Sequence, residues 1–145
     1  MATMLEMIRS AQRGEIPPPS VAKLIGFTLA SIDPGCAVVE FSADSRHANP
    51  MGTLHGGILC DIADAAMGMA YASTVAEGER FTTLELKINF LKPHWTGRLA
   101  ATGRIVNGGR TVGLVECDIV DDQGRLVARA SSTCMTLRGN DARGR

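Results

Sequence analysis

Between His55 and Ser73 the chain is apolar on almost every face and narrow at the same time. Ala63, Ala65, Ala66, Gly68, Ala70 and Ala72 keep its girth small, and only Asp61 and Asp64 carry charge. A helix with this pattern has no face to offer water, so it belongs in the interior and the rest of the chain must wrap it. The preceding stretch, Ser45 to Leu54, contains Asn49-Pro50 and Gly52 and reads as irregular. His55, Gly56 and Gly57 stand where the helix begins. The first turn of a helix leaves backbone N–H groups unpaired, and these can hold an oxyanion or a carbonyl oxygen. Asp64, two turns further on, interrupts a face of Ile, Ala and Met where an acid has little structural use. Donor amides and one acid are the minimum set for acyl transfer, so function is to be sought between Asn49 and Ser73.

The flanking sequence supplies the wrapping. Met4 to Arg13, with Met4, Leu5, Met7, Ile8 and Ala11 on one face, predicts a short amphipathic helix. Gly14 ends it, and Pro17-Pro18-Pro19 makes a stiff link. Leu24 to Ile32 predicts a strand, Asp33-Pro34-Gly35 a turn, and Cys36 to Ala43 its hairpin partner. After the helix the period drops from 3.6 to 2. Leu84, Leu86, Ile88 and Phe90 alternate with Thr83, Glu85, Lys87 and Asn89, which predicts a half-buried strand stopped by Pro93. Strands from Arg98 to the turn Asn107-Gly108-Gly109, from Thr111 to the turn at Gly124, and from Arg125 to Leu137 complete the set. The order is helix, two strands, buried helix, four antiparallel strands. It predicts an α+β fold, one curved antiparallel sheet around one long central helix. Such a sheet has open edges, which a second copy can cover. Residues 1–19 read as helix and proline link, 20–138 as the domain, and 139–145 as a flexible tail.

Composition removes several classes of function. Fifteen basic and fifteen acidic residues cancel, against the clustered charge of a nucleic-acid binder. No apolar run reaches membrane-spanning length, and the start of the chain has early acids and no apolar signal core. Cys36, Cys60, Cys117 and Cys134 form no CxxC pair and lie far from any ligand-like His. A reduced, cytoplasmic protein without a metal site is the expectation.

The spacing N-x(5)-HGG-x(6)-AD, here Asn49, His55-Gly56-Gly57 and Ala63-Asp64, resembles that of the PaaI-type hotdog-fold acyl-CoA thioesterases. The strand order and the Lys92-Pro93 strand ending fit the same family, over about residues 20 to 138. The resemblance implies a role for each matching residue. Gly56 donates its backbone N–H to the thioester carbonyl, Asn49 positions the water or the thioester, and Asp64 is general base or nucleophile. Thr83, on the following strand, assists the attacking water. His55 is implied as a structural or carbonyl-orienting residue, and Gly57 as part of the binding loop. Asp61, one turn before Asp64, competes for the acid's role. Lys92, Arg110 and Arg138 are candidates for the phosphates of coenzyme A.

By the same resemblance the site is built between two subunits, in a dimer or a dimer of dimers, with no cofactor and no metal. The implied substrate is an acyl-CoA, with an aromatic group such as phenylacetyl or a medium chain. The alternatives are a hotdog hydratase or dehydratase and a non-catalytic acyl-CoA-binding protein. The first normally pairs a His with an acid at other spacings. The second normally needs a partner domain.

Overall fold

The computed structural model of the chain describes residues 1–143. Its elements are α1 (Met4–Gln12), α2 (Ser20–Ile25), β1 (Phe27–Asp33), β2 (Cys36–Ala43), α3 (Gly56–Ala72), β3 (Arg80–Phe90), β4 (Gly97–Gly108), β5 (Val112–Asp121) and β6 (Leu126–Leu137). The strands form one antiparallel sheet in the spatial order β1-β2-β4-β5-β6-β3. Helix α3 touches all six of them. This is the hotdog arrangement, one sheet around one helix. None of the described helices is long and apolar enough to cross a membrane.

The wrap is tight because both surfaces are small where they meet. A Cβ on Gly103 of β4 would stand 2.5 Å from the carbonyl of Ala66, so strand and helix backbones lie directly on each other. Ala63, Ala66 and Ala70 are fully enclosed, with Ile62 and Met67 beside them. Phe41, Val39, Leu99, Val115 and Ile119 close over that face from the sheet. Each such side chain contributes about 1.5–3 kcal/mol on burial. At the far end Ser73 Oγ donates to Ala70 O at 2.6 Å and accepts from Gly35 N at 2.8 Å, which pins the β1–β2 turn to the helix.

Four segments differ from the sequence reading. Helix α3 is not enclosed all round: Cys60, Asp61, Ala65, Gly68 and Met69 are half-buried and Asp64 is exposed, because one sheet covers only part of a helix's circumference. The segment predicted as strand from Leu24 begins instead as α2, whose Gly26 cap turns left-handed at φ +97° before β1 starts at Phe27. Strand β3 has no fully buried residue, since it is a sheet edge with a bulge between Thr83 and Glu85. The bulge leaves Leu84 outside, 53% exposed, and puts Phe81 and Thr83 on the same side as Leu86 and Ile88. Gly139–Ala142 forms a 3-10 turn where a flexible tail was expected, and residues 144 and 145 of that tail lie outside the described residues.

Candidate active site

The start of α3 is built by side chains that give up their own freedom to shape a loop. Asn49 Oδ1 accepts from Met51 N at 2.9 Å and Thr53 N at 3.2 Å, and its Nδ2 donates to Thr53 Oγ1 at 2.7 Å. One Nδ2 hydrogen is left over for anything else. His47, absent from the sequence reading of the site, anchors the other side. Its Nδ1 accepts from Asp44 N at 3.1 Å and its Nε2 meets Ile25 O at 3.1 Å, while its backbone carbonyl accepts from His55 N at 2.9 Å. The ring also stands edge-on to Phe41.

His55 is the N-cap of α3: its Nδ1 accepts from Gly57 N at 2.9 Å. That consumes the Gly57 donor and the Nδ1 lone pair together. Gly56 N–H, in contrast, has no acceptor among the described residues. A Cβ on Gly56 would lie 2.8 Å from the Phe90 ring, so the glycine also lets β3 close against the helix start. One unpaired amide therefore stands at the positive end of the helix. Beside the helix start a cleft of about 420 Å³ is lined by Arg46, His47, Ala48, His55, Gly57, Ile58 and Asp61. Arg46 was not among the residues picked from sequence. It is bound to Asp44 at 2.8 Å and is otherwise open to solvent.

Asp64 belongs to a different neighbourhood. As a residue it is exposed, yet its carboxyl sits low enough between α3 and β3 for burial to push its pKa up. Asp61, one turn back on the same side, pushes it up further, and the nearby Thr83 hydroxyl pulls it down. Thr83 Oγ1 also lies 3.8 Å from Cys134 Sγ on β6. Burial raises Asp61 as well. Two acids with raised pKa values on one helix make a candidate proton-transfer centre.

Asp61 reaches both neighbourhoods, but Gly56 and Asp64 themselves stand apart. Gly56 and Asp64 are eight residues apart on one helix, a separation of about 12 Å along its axis at 1.5 Å per residue. A thioester carbonyl cannot touch both. The basic candidates are divided as well. Lys92 follows β3 at the end where Phe90 covers Gly56, with Nζ 3.2 Å from Asp121 Oδ2. Asp121 further accepts from Gln123 N at 3.0 Å, Arg125 N at 2.9 Å and Arg125 Nε at 2.8 Å. Arg138 is bound to Glu79 and to the carbonyl of Arg110, near the C-terminal end of α3 where Tyr71 OH reaches Thr111 O. The Arg110 side chain is exposed and has no partner among the described residues.

One antiparallel sheet around one helix is the fold that comparison with known proteins also finds. The family model described as Thioesterase superfamily matches residues 51–128. Acyl-coenzyme A thioesterase PaaI of Escherichia coli strain K12 is 33% identical over 108 residues, covering 74% of this chain and 75% of that protein. Acyl-coenzyme A thioesterase 13 of Homo sapiens is 25% identical over 136 residues, covering 92% of this chain and 96% of that one. The solved structure of the E. coli PaaI protein from the phenylacetic acid degradation operon superimposes with a TM-score of 0.82 at 26% identity, over 94% of this chain and 98% of that chain. The chain belongs to the thioesterase superfamily and, within it, to the PaaI-type hotdog group.

Proposed function

We propose that this protein hydrolyses acyl-CoA thioesters to the free acid and coenzyme A, at a site shared by two copies of the chain. The observation that carries the shared site is the distance between Gly56 and Asp64. About 12 Å along one helix separates carbonyl donor from acid, which supports a site in which each copy supplies one of them. The open edge of β3 supports the pairing, with Leu84, Phe90 and the following Leu91 all exposed. A homodimer, or a dimer of dimers, is the assembly this requires.

In this reading Gly56 N–H and the helix start take the thioester oxygen and hold the charge that builds on it. Asp64 of the second copy takes a proton from water as it adds to the carbonyl carbon, or adds directly to give an anhydride that water opens. The C–S bond then breaks, and the coenzyme A thiolate collects a proton. Thr83, beside Asp64, and the spare Nδ2 hydrogen of Asn49 are placed to steady the water. His55 and Gly57 fix the loop. Arg46, Arg110 and, after exchange of its present partners, Arg138 are the cations for the coenzyme A phosphates, while Lys92 stays on Asp121. No metal or organic cofactor is needed, and a cytoplasmic location fits four unpaired cysteines.

A thiol-release assay over a panel of acyl-CoAs tests the reading. Release of coenzyme A with the free acid as product supports it. Hydration of an enoyl-CoA without thiol release makes the protein a hydratase, and tight binding without turnover makes it an acyl-CoA-binding protein.

A further inference from the structure

The open side of α3 does not end at Asp64. Beyond it lies a cavity of about 760 Å³, open on one side, between α3, β1, the start of β3 and helix α1. Asp64 and Thr83 do not line it, but its walls continue the helix and the strand that carry them. Gly68 and Ala72 line it from α3, one and two turns past Asp64 on the same face. Phe81 lines it from β3, two residues before Thr83 and therefore on the same side of the strand. Helix and edge strand both carry a site residue first and a cavity residue next, in the same direction.

The roof is unusual. Met4, Met7, Ile8 and Ala11 of α1 look into the cavity, the i, i+3, i+4, i+7 stripe that a helix normally presses onto a core. Yet α1 contains no fully buried residue. Met4, Leu5 and Ile8 rest partly on the core, while Phe27, Leu29 and Met69 line the cavity opposite. A concave site with predominantly apolar walls, open on one side, is the form of a binding pocket for an apolar guest. The polar tethers of the roof lie at its two ends: the Met1 ammonium meets Glu77 at 2.9 Å and Gln12 Nε2 donates to Ala30 O at 2.9 Å, beyond which the chain runs through the Pro17–Pro19 link.

Building on the thioesterase reading, we infer that this cavity is the acyl pocket, that α1 is its displaceable roof, and that the acyl group is an unbranched aliphatic chain of medium to long length. Its size separates it from an aromatic pocket. A cavity of about 150 Å³ suffices for a benzene ring, and this one is about five times larger. Its lining runs along α1 from Met4 to Gln12, about two turns of helix, a length that a chain fills and a ring does not. The thioethers of Met4, Met7 and Met69 adapt to a flexible guest.

The test is a chain-length ladder from butyryl- to dodecanoyl-CoA with phenylacetyl-CoA beside it, read as kcat/KM. Wild type is expected to gain about three- to fourfold per added methylene until the pocket is full, and to prefer decanoyl- over phenylacetyl-CoA. Ala11→Trp fills the pocket from the roof and should lower the decanoyl-to-butyryl ratio by about tenfold or more, the worth of two methylenes of burial. Met7→Ala enlarges it and should move the optimum towards longer chains. Opposite shifts cannot come from general loss of folding. A flat ladder, a preference for phenylacetyl-CoA, or both variants moving the profile the same way overturns the inference. No hydrolysis of any thioester removes the thioesterase reading instead. The pocket is then decided by calorimetry with decanoic acid, whose binding to wild type and loss in Ala11→Trp sustains it and whose failure to bind wild type ends it.

Discussion

Gly57 N–H donates to His55 Nδ1 at 2.9 Å, and this one bond assigns work to three consecutive residues. His55 caps the helix, Gly57 is spent on the cap, and Gly56 alone keeps a donor for a ligand. His55→Asn retains a capping oxygen and is expected to keep the wild-type melting temperature. His55→Ala loses the cap and about 1 kcal/mol of stability. Thermal melts of the two variants decide this. Equal losses in both would mean that the ring, and not the cap, matters.

Asp64→Ala should lower kcat by ~10²–10⁴, the usual worth of a positioned acid or base. Asp61→Ala should cost far less. The reverse ranking would move the catalytic role to Asp61, which lines the cleft beside His55.

The raised pKa of Asp64 has consequences for both activity and stability. As a base it works ionised, so kcat/KM should fall on the acid side at a pH above the ordinary carboxylate range. Burial is the larger cause and the Asp61 charge the second. Asp61→Asn should therefore move that acid limb to lower pH. For stability the folded state holds this proton more tightly than the unfolded state. Its contribution is thus most favourable below the ordinary carboxylate pKa and is lost as pH rises through the raised value. Asp64→Asn should then melt higher than wild type at pH 7, with the gap closing in acid. A limb unmoved in Asp61→Asn, or an inactive Asp64→Asn that melts lower at pH 7, contradicts this account.

Asp121 titrates in the opposite sense. Burial opposes its charge, but Arg125, Lys92 and the Gln123 amide outweigh burial and hold its carboxyl well below the usual range. Its stabilisation is present above the unfolded pKa and is lost as pH falls through the depressed one. Asp121→Asn should bring acid unfolding to higher pH. Lys92→Ala should act mainly on stability, with little change in KM for acyl-CoA. A large KM effect with unchanged melting would assign Lys92 to the coenzyme instead.

The shared site can be read from subunit mixing. Asn49→Ala and Asp64→Ala chains, each nearly inactive, are co-refolded. Random pairing makes about half the dimers mixed, and one of the two sites in each is then intact, so about a quarter of wild-type activity should return. If a single chain held the whole site, every site would keep one lesion. Activity staying at the parental mean, with exchange shown by a tag, would exclude the shared site.

The sequence by itself determined the features that depend on near neighbours. The small-residue run from Ala63 to Ala72 required a buried helix, the turn at Asp33-Pro34-Gly35 required a hairpin, and His55-Gly56-Gly57 marked the helix start where the free amide lies. Only the tertiary structure decided what depends on distant ones. Alternation counted Thr83 with the polar face of its strand. The bulge beside it, set by pairing with β6 fifty residues away in sequence, turns it inward to Asp64. The segment read as strand from Leu24 is the end of α2, a short helix with Pro19 at its start and the left-handed Gly26 at its end, and it buries only Ala22. Nothing local announced that Lys92 would meet Asp121 or that Arg138 would meet Glu79. The cavity under α1 was equally hidden, because an amphipathic stripe says that a helix must cover something apolar and leaves open whether that is a core or a guest.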